Sequence, residues 1–126
     1  MLDLLKLAAE VAVSKGDTHR NFLLGAVAIR KDQAIVRSAN GSAYMPCPSA
    51  HAETRILKKC GRGATIYVAR IARKDGCMAL ARPCNGCWMM MRHYDVSKCY
   101  YTINNKEFGV ITFGNGSFTE RIKKDI

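Results

Sequence analysis

The sequence predicts an α/β domain in which a central sheet is covered by helices on its faces. Short apolar runs typical of buried strands alternate along the chain with segments of helical periodicity. The 126 residues contain no linker, repeat or low-complexity segment, so they are expected to form a single domain, 1–126. With 48% hydrophobic and 24% charged residues, the composition excludes the disordered and fibrous classes.

The first half of the chain predicts a helix, a strand hairpin and a second helix. Leucines and alanines recur at helical spacing over residues 2–12, which indicates an amphipathic helix ending near Gly16. The apolar runs 23–29 and 34–39 flank a polar turn and predict two paired strands. A second helix is expected over residues 50–60, because serine precedes it as an N-cap and glycine follows it.

The second half continues the alternation. The clearest strand is 64–71, which is rich in β-branched and aromatic residues. After it the sequence predicts an extended stretch over 78–80, a third helix over 84–94, and strands over 98–103 and 109–113.

Charge and hydropathy limit the partners and the compartment. Twenty Lys and Arg against ten Asp and Glu give a formal charge of +10, which favours an anionic partner such as a nucleotide phosphate or a nucleic acid. Charged residues at 3, 6 and 10 interrupt the first apolar run, so it does not fit a secretory signal. Since no stretch approaches the roughly 20 apolar residues of a membrane span, we expect a cytoplasmic protein with no membrane partner and reduced cysteines.

Two short segments carry the residues with metal chemistry. His51 and Glu53 stand at the start of the second predicted helix, and Cys84 and Cys87 follow Pro83 at the start of the third. Thiolates at i and i+3 share one face of a helical turn, and the helix dipole favours their ionised form. With one imidazole they make three ligands, which leaves a fourth zinc position for a catalytic water.

Each segment also has a simpler interpretation. His51 alone could be an ordinary surface or core histidine, and Cys84 with Cys87 alone could be a redox pair or half of a structural zinc site. The combined pattern, H-x-E followed by P-C-x-x-C, resembles the signature of zinc deaminases and favours a catalytic zinc centre.

On these residues the chain resembles the zinc-dependent cytidine and deoxycytidylate deaminase superfamily, which includes the tRNA adenosine deaminases. The segments 24–27, 40–41 and 94–101 extend the resemblance over about residues 22–103. It implies a cytidine deaminase-like three-layer α/β/α sandwich with a central mixed sheet. Proline before the first cysteine and histidine as the first ligand resemble the deoxycytidylate and tRNA-editing branch.

The resemblance also implies roles for individual residues. One catalytic Zn²⁺ would be held by His51, Cys84 and Cys87, with Glu53 as the proton shuttle. Asn40 would hold the base or sugar, and the backbone amide of Ala52 would contact the carbonyl beside the attacked carbon. The substrate-binding set includes Arg82 and Pro83, although Arg82 departs from the small or acidic residue expected before the proline.

Three functions follow, in order of preference. The first is deamination of a cytosine nucleotide or nucleoside, with deoxycytidylate favoured and a phosphate held by Arg20, Arg55 or Arg82. The second is deamination of cytosine or adenine in single-stranded nucleic acid or tRNA, and the third is a non-catalytic zinc-stabilised binding module. For the second, a basic track and stacking side chains are available at Arg55, Lys58, Lys59, Arg62, Arg70, Arg73, Lys74, Arg82, Arg92, Tyr44, Trp88 and Phe113. Retention of Glu53 argues against the third.

The four other cysteines are interpreted as packing residues: Cys47, Cys60, Cys77 and Cys99. A second, structural zinc that recruits Cys47 is an alternative with no evident partner ligands. We also expect a homo-oligomer, because the predicted elements leave one sheet face thinly covered.

Overall fold

The computed structural model describes residues 2–15, 22–39, 52–83, 85–114 and 117–124. Within these ranges three helices and seven strands form one mixed sheet with helices on both faces. The helices are α1 (Leu2–Lys15), α2 (Ala52–Cys60) and α3 (Asn85–His93). The strands are β1 (Phe22–Ile29), β2 (Ile35–Ala39), β3 (Thr65–Ala72), β4 (Met78–Ala79), β5 (Lys98–Thr102), β6 (Glu107–Phe113) and β7 (Phe118–Lys124). This arrangement confirms the predicted three-layer α/β/α class.

The order of strands in the sheet is β2-β1-β3-β5-β6-β7, with the short β4 pairing with β3 beyond the end of β5. Strands β3 and β5 pair in parallel, and the other pairs are antiparallel. Since β2 and β3 are both antiparallel to β1, the strands β2, β3 and β5 run in the same direction. The hairpin predicted between β1 and β2 is confirmed, and it is closed by Arg30 N donating to Ala34 O at 2.8 Å.

Helix α1 covers one face of the sheet. Its buried side chains, including Leu5 and Val11, pack against strand residues such as Val27 and Tyr67. Gly25 of β1 lies under the helix, where an added Cβ would be 2.1 Å from the Ala8 carbonyl oxygen. The absence of a side chain at this position therefore lets the helix backbone approach the strand closely.

Helices α2 and α3 cover the opposite face. Ile56, Leu57 and Met91 are fully buried against strand residues on this side, including Ile66 and Ile111. Helix α2 ends at Cys60, as predicted, and Gly61 follows it with φ of 70°. A glycine adopts this left-handed conformation without the steric penalty of a Cβ, which makes it a favourable helix stop.

Three of the cysteines assigned to packing lie in the described residues. Cys60 and Cys99 are buried and confirm that assignment, whereas Cys77 is only half-buried. Burial raises the pKa of the Cys60 thiol, which keeps it protonated near neutral pH. Cys47 lies outside the described residues.

Strand β7 is the element that the sequence did not predict. It pairs antiparallel with β6 along its whole length and forms one edge of the described sheet. Only Glu120 of its seven residues is not exposed, so the strand lacks the alternation of buried and exposed side chains that identifies strands in a sequence. The charged side chains Arg121, Lys123 and Lys124 are typical of an edge strand that resists pairing with other chains.

Candidate metal centre and its surroundings

The topology brings the N-terminal ends of α2 and α3 to the same end of the sheet. Helix α2 leads from β2 to β3, and helix α3 leads from the β3-β4 unit to β5. The strands β2, β3 and β5 run in one direction and both helices pack on one face, so both helices begin beside the carboxyl ends of these strands. The two helices also contact each other. Sites in α/β sheets are commonly built at such strand ends.

The predicted metal ligands stand at these two helix starts. Helix α2 begins at Ala52, directly after His51, and α3 begins at Asn85, directly after Cys84. Cys87 lies in the first turn of α3 and its side chain is fully buried. His51, Cys84 and Asn40 lie outside the described residues, as do the side chains of Ala52 and Glu53, so their contacts stay predictions.

The described features fit a zinc ion. Cys87 is a buried cysteine in the first turn of α3, at the positive end of the helix dipole. The positions next to the two helix starts supply one further cysteine and one histidine in sequence. Two sulfurs and one imidazole are a donor set that zinc accepts while keeping a position for water. Within the described ranges alone, no group of three potential metal ligands occurs.

The backbone that leads into Cys84 is attached to the end of β5 by Thr102. The Ala81 amide donates to the Thr102 carbonyl at 2.8 Å. The hydroxyl of Thr102 donates to the Ala79 carbonyl at 2.8 Å and accepts from the Arg70 amide at 3.1 Å. Thr102 and Pro83 are fully buried, so this segment is held against the sheet. No sequence pattern indicated this role for Thr102, because threonine is common in strands in general.

Arg82 makes a two-point ion pair with Glu120 of β7. Its Nε donates to Oε2 at 2.8 Å and its Nη2 donates to Oε1 at 3.2 Å. The Tyr101 hydroxyl donates to the same Oε2 at 2.5 Å. The predicted phosphate-binding arginine is therefore engaged by a carboxylate of its own chain, and its contact with substrate stays a prediction.

The charges of this group are coupled. Hydrogen bonding to Arg82 lowers the pKa of Glu120, and burial works against it. Burial and the hydrogen bond to Glu120 raise the pKa of Tyr101, which stays a neutral donor across the physiological range.

Aromatic side chains lie beside this pair. The Arg82 guanidinium lies over the Trp88 ring at 4.8 Å from its centroid. The Trp88 ring meets Phe113 edge-on at 5.6 Å and Phe118 at 4.7 Å between centroids. Trp88 and Phe113, predicted as stacking residues for nucleic acid, thus pack with each other, and Tyr44 lies outside the described residues.

Some of the predicted basic residues have protein partners elsewhere, among them Arg62 and Lys59. The Arg62 guanidinium donates to Asp95 at 2.7 Å and to the His93 carbonyl at 3.0 Å. Lys59 donates to the Arg37 carbonyl at 2.7 Å. These three contacts are exposed, so they leave the Arg62 and Lys59 cations accessible to an anionic partner.

Comparison with known protein families identifies a family for most of the chain. The family model described as the cytidine and deoxycytidylate deaminase zinc-binding region matches residues 2–103. That span runs from α1 to the end of β5 and contains every predicted zinc ligand, whereas β6 and β7 lie beyond it. No curated protein matches the chain. Among the described residues, no helix is both long and apolar enough to cross a membrane.

Proposed function

The chain belongs to the family of the cytidine and deoxycytidylate deaminase zinc-binding region, and from this premise we propose that it hydrolytically deaminates a cytosine nucleotide or nucleoside. Deoxycytidylate is the favoured substrate. The observation that carries the proposal is the common position of the α2 and α3 starts at one end of the sheet, with the Cys87 thiol buried in the first turn of α3.

The chemistry of the proposed reaction needs a metal and one carboxyl group. His51, Cys84 and Cys87 would hold Zn²⁺, which acts as a Lewis acid and makes a water molecule nucleophilic near neutral pH. Glu53 would take a proton from that water and deliver it to the ring nitrogen beside the amino-bearing carbon. The water oxygen would bond to this carbon, and Glu53 would then take the second proton from the added hydroxyl and pass it to the amino group. The carbon–nitrogen bond would break, so that ammonia leaves and a carbonyl remains on the ring.

The same carboxyl group acts first as base and then as acid, which requires a pKa near the working pH. Glu53 is the second residue of α2, at the end of the sheet where α3 also begins. In the proposal, Asn40 holds the base or sugar and the Ala52 amide donates to the carbonyl beside the attacked carbon.

Replacement of Glu53, the proposed proton shuttle, is the first test. Glu53→Gln should retain zinc and fold but lose ammonia release by at least about 100-fold, because general acid–base catalysis contributes on that order. Ammonia release would be measured together with zinc content and the unfolding midpoint. Glu10→Gln, on the exposed side of α1, is the matched control and should keep wild-type activity. Wild-type turnover by Glu53→Gln would remove Glu53 from the proposed mechanism.

The substrate is tested by a mass-shift screen. Deamination changes the mass of any product in the same way, so one assay compares cytidine, deoxycytidine, their monophosphates, deoxyadenosine and single-stranded DNA and RNA. Fastest turnover of deoxycytidylate is expected. Turnover restricted to oligonucleotides would favour the second candidate, which the +10 charge and the exposed basic side chains of β7 support. Zinc binding without turnover of any substrate would favour the non-catalytic module.

A further inference from the structure

We propose that Glu120 is a positioning residue for the metal-binding start of α3 and acts on it through Arg82. The inference rests on the proposed function in one respect, namely that Cys84 and Cys87 hold the metal. Glu120 belongs to β7, which lies outside the span matched by the family model. Strand β7 would therefore support a centre whose predicted ligands all come from the earlier part of the chain.

The contact between β7 and the segment before α3 has a fixed geometry. Both Glu120 oxygens accept from the Arg82 guanidinium, and Oε2 also accepts from the Tyr101 hydroxyl. Two-point pairs between arginine and a carboxylate restrict orientation as well as distance. The Tyr101 ring reaches Glu120 across Gly109 of β6, where an added Cβ would lie 2.0 Å from Tyr101 Cζ. The bare backbone of Gly109 therefore allows this second bond.

A second contact joins β7 to the first turn of α3. Phe118 packs edge-on against Trp88, which directly follows the buried Cys87. The Arg82 guanidinium also lies over the ring of Trp88. Glu120 and Phe118 thus hold residues on both sides of the two predicted cysteine ligands.

The opposite side of the segment is held by β5. Thr102 bonds to Ala79 and Ala81, and the buried Pro83 restricts the backbone directly before Cys84. Arg82 lies between Ala81, which is bonded to Thr102, and the buried Pro83. If the Arg82–Glu120 pair is lost, the backbone two residues from Cys84 loses its attachment on the β7 side while the β5 side stays fixed.

This role gives Arg82 a function other than binding a substrate phosphate. The Nε and Nη2 groups that would grip a phosphate in the two-point manner already grip Glu120. A carboxylate beside the guanidinium also opposes the approach of a further anion. Arg82 is thus expected to leave the choice between a nucleoside and its monophosphate unaffected.

Metal retention tests the proposal without relying on turnover. The variants are Arg82→Gln, Glu120→Gln and the double variant, with Zn²⁺ affinity measured by competition with a chromophoric chelator. Groups that support metal ligands change metal affinity by about 10- to 100-fold when removed. We expect about 10-fold weaker binding for each single variant, because Arg82 is two residues from Cys84. The double variant should lose no more than a single variant, since both residues act through one contact.

Asp95→Asn provides the matched control. Asp95 pairs with Arg62 through one exposed contact of 2.7 Å beyond the C-terminal end of α3. Asparagine tolerates the positive φ of 53° at this position. This variant should bind Zn²⁺ with wild-type affinity. The sulfur-to-metal absorption of the Co²⁺-substituted protein should change in Arg82→Gln and Glu120→Gln and stay unchanged in Asp95→Asn.

The outcomes separate this proposal from the proposed function. Wild-type Zn²⁺ affinity and Co²⁺ spectra in both single variants would overturn the positioning role. So would a rise in KM for a monophosphate but not for its nucleoside in Arg82→Gln, because that result identifies Arg82 as a phosphate ligand. If the wild-type chain binds Zn²⁺ and the variants bind it more weakly, but no nucleobase is deaminated, the positioning role stands and the proposed function fails. A wild-type chain that binds no Zn²⁺ would overturn both.

Discussion

Single side chains decide how the strands meet near the candidate site. Tyr101 lies on β5 and Glu120 on β7, and the strand between them would separate the two groups if it carried a side chain at position 109. Glycine is needed at position 109 because there is no room for a Cβ atom, and not because the backbone there has a positive φ. A hydrogen bond between side chains two strands apart thus depends on one missing Cβ.

Gly109→Ala should lower the free energy of unfolding by about 1–3 kcal/mol, the usual cost of overpacking a filled site. The added Cβ would meet the Tyr101 ring at 2.0 Å, so the ring must move away from Glu120. Chemical denaturation measures the change. Gly114→Ala is the control, because its Cβ would come no closer than 3.6 Å to a neighbour. Equal stability of the two variants would contradict the close contact.

The Glu120 carboxylate predicts a pH dependence of stability. Its pKa in the folded protein is lowered from 4.5 by Arg82, so the carboxylate stabilises the fold above about pH 4.5 and this contribution is lost as the pH falls further. Wild-type protein should be more stable than Glu120→Gln by about 1 kcal/mol at pH 7, and the difference should vanish in acid. Thermal unfolding between pH 3 and 7 measures it. If the stability difference between wild type and Glu120→Gln grows as the pH falls, the prediction is contradicted.

At the scale of elements, the place where α3 begins depends on how the preceding residues 78–83 are held. The predicted extended stretch 78–80 contains the two-residue strand β4. Between β4 and α3, the Ala81 amide is hydrogen-bonded to the carbonyl of Thr102 in β5. The Thr102 hydroxyl is buried and satisfies two backbone groups at once. A polar group in this position is costly to remove, because its partners remain buried.

Thr102→Val keeps the shape of the side chain and removes both hydrogen bonds. Each unsatisfied buried partner costs about 1–3 kcal/mol, so the variant should be destabilised by at least about 1 kcal/mol. Hydrogen exchange should accelerate at the Arg70 amide, which loses its acceptor. Thr112→Val, at an exposed position of β6, is the matched control and should change neither measurement. Unchanged exchange at Arg70 would show that Thr102 does not hold this segment.

At the scale of the whole molecule, the layered architecture sets where the candidate site lies, and the net charge affects which molecules approach it. The layers place the starts of α2 and α3 at one end of the sheet, and the +10 charge acts on whatever anion approaches that end. Among the described residues, the Arg82–Glu120, Arg62–Asp95 and Arg30–Asp32 pairs involve three of the twenty basic residues of the sequence. The electric field of the remaining positive charges is expected to raise the association rate of an anionic substrate. A homo-oligomer stays a prediction.

Salt distinguishes the two anionic substrate classes. A single-stranded nucleic acid held by about five phosphate contacts should lose about 100-fold in affinity between 50 and 200 mM salt. A mononucleotide with one phosphate group should lose only a few-fold. We expect the smaller change, measured as the KM of the best substrate across this range. A steep dependence would instead favour the nucleic-acid deaminase.

The sequence alone determined the fold class, the elements from α1 to β6 and the zinc signature. Hydrophobic periodicity and glycine stops act over a few residues, and the H-x-E and P-C-x-x-C patterns are equally short, so each is visible in the order of the residues. The end of α2 at Cys60, directly before Gly61, depends on such a local signal.

Only the tertiary structure revealed β7 and the contacts of Thr102 and Arg82. Arg82 and Glu120 are 38 residues apart, and both are polar residues of a kind common on any surface. The sequence therefore indicated Arg82 as a phosphate ligand, whereas the folded chain gives it a carboxylate partner. The physical reason is that an ion pair depends on the distance between two charges after folding, and no periodicity in the sequence encodes that distance.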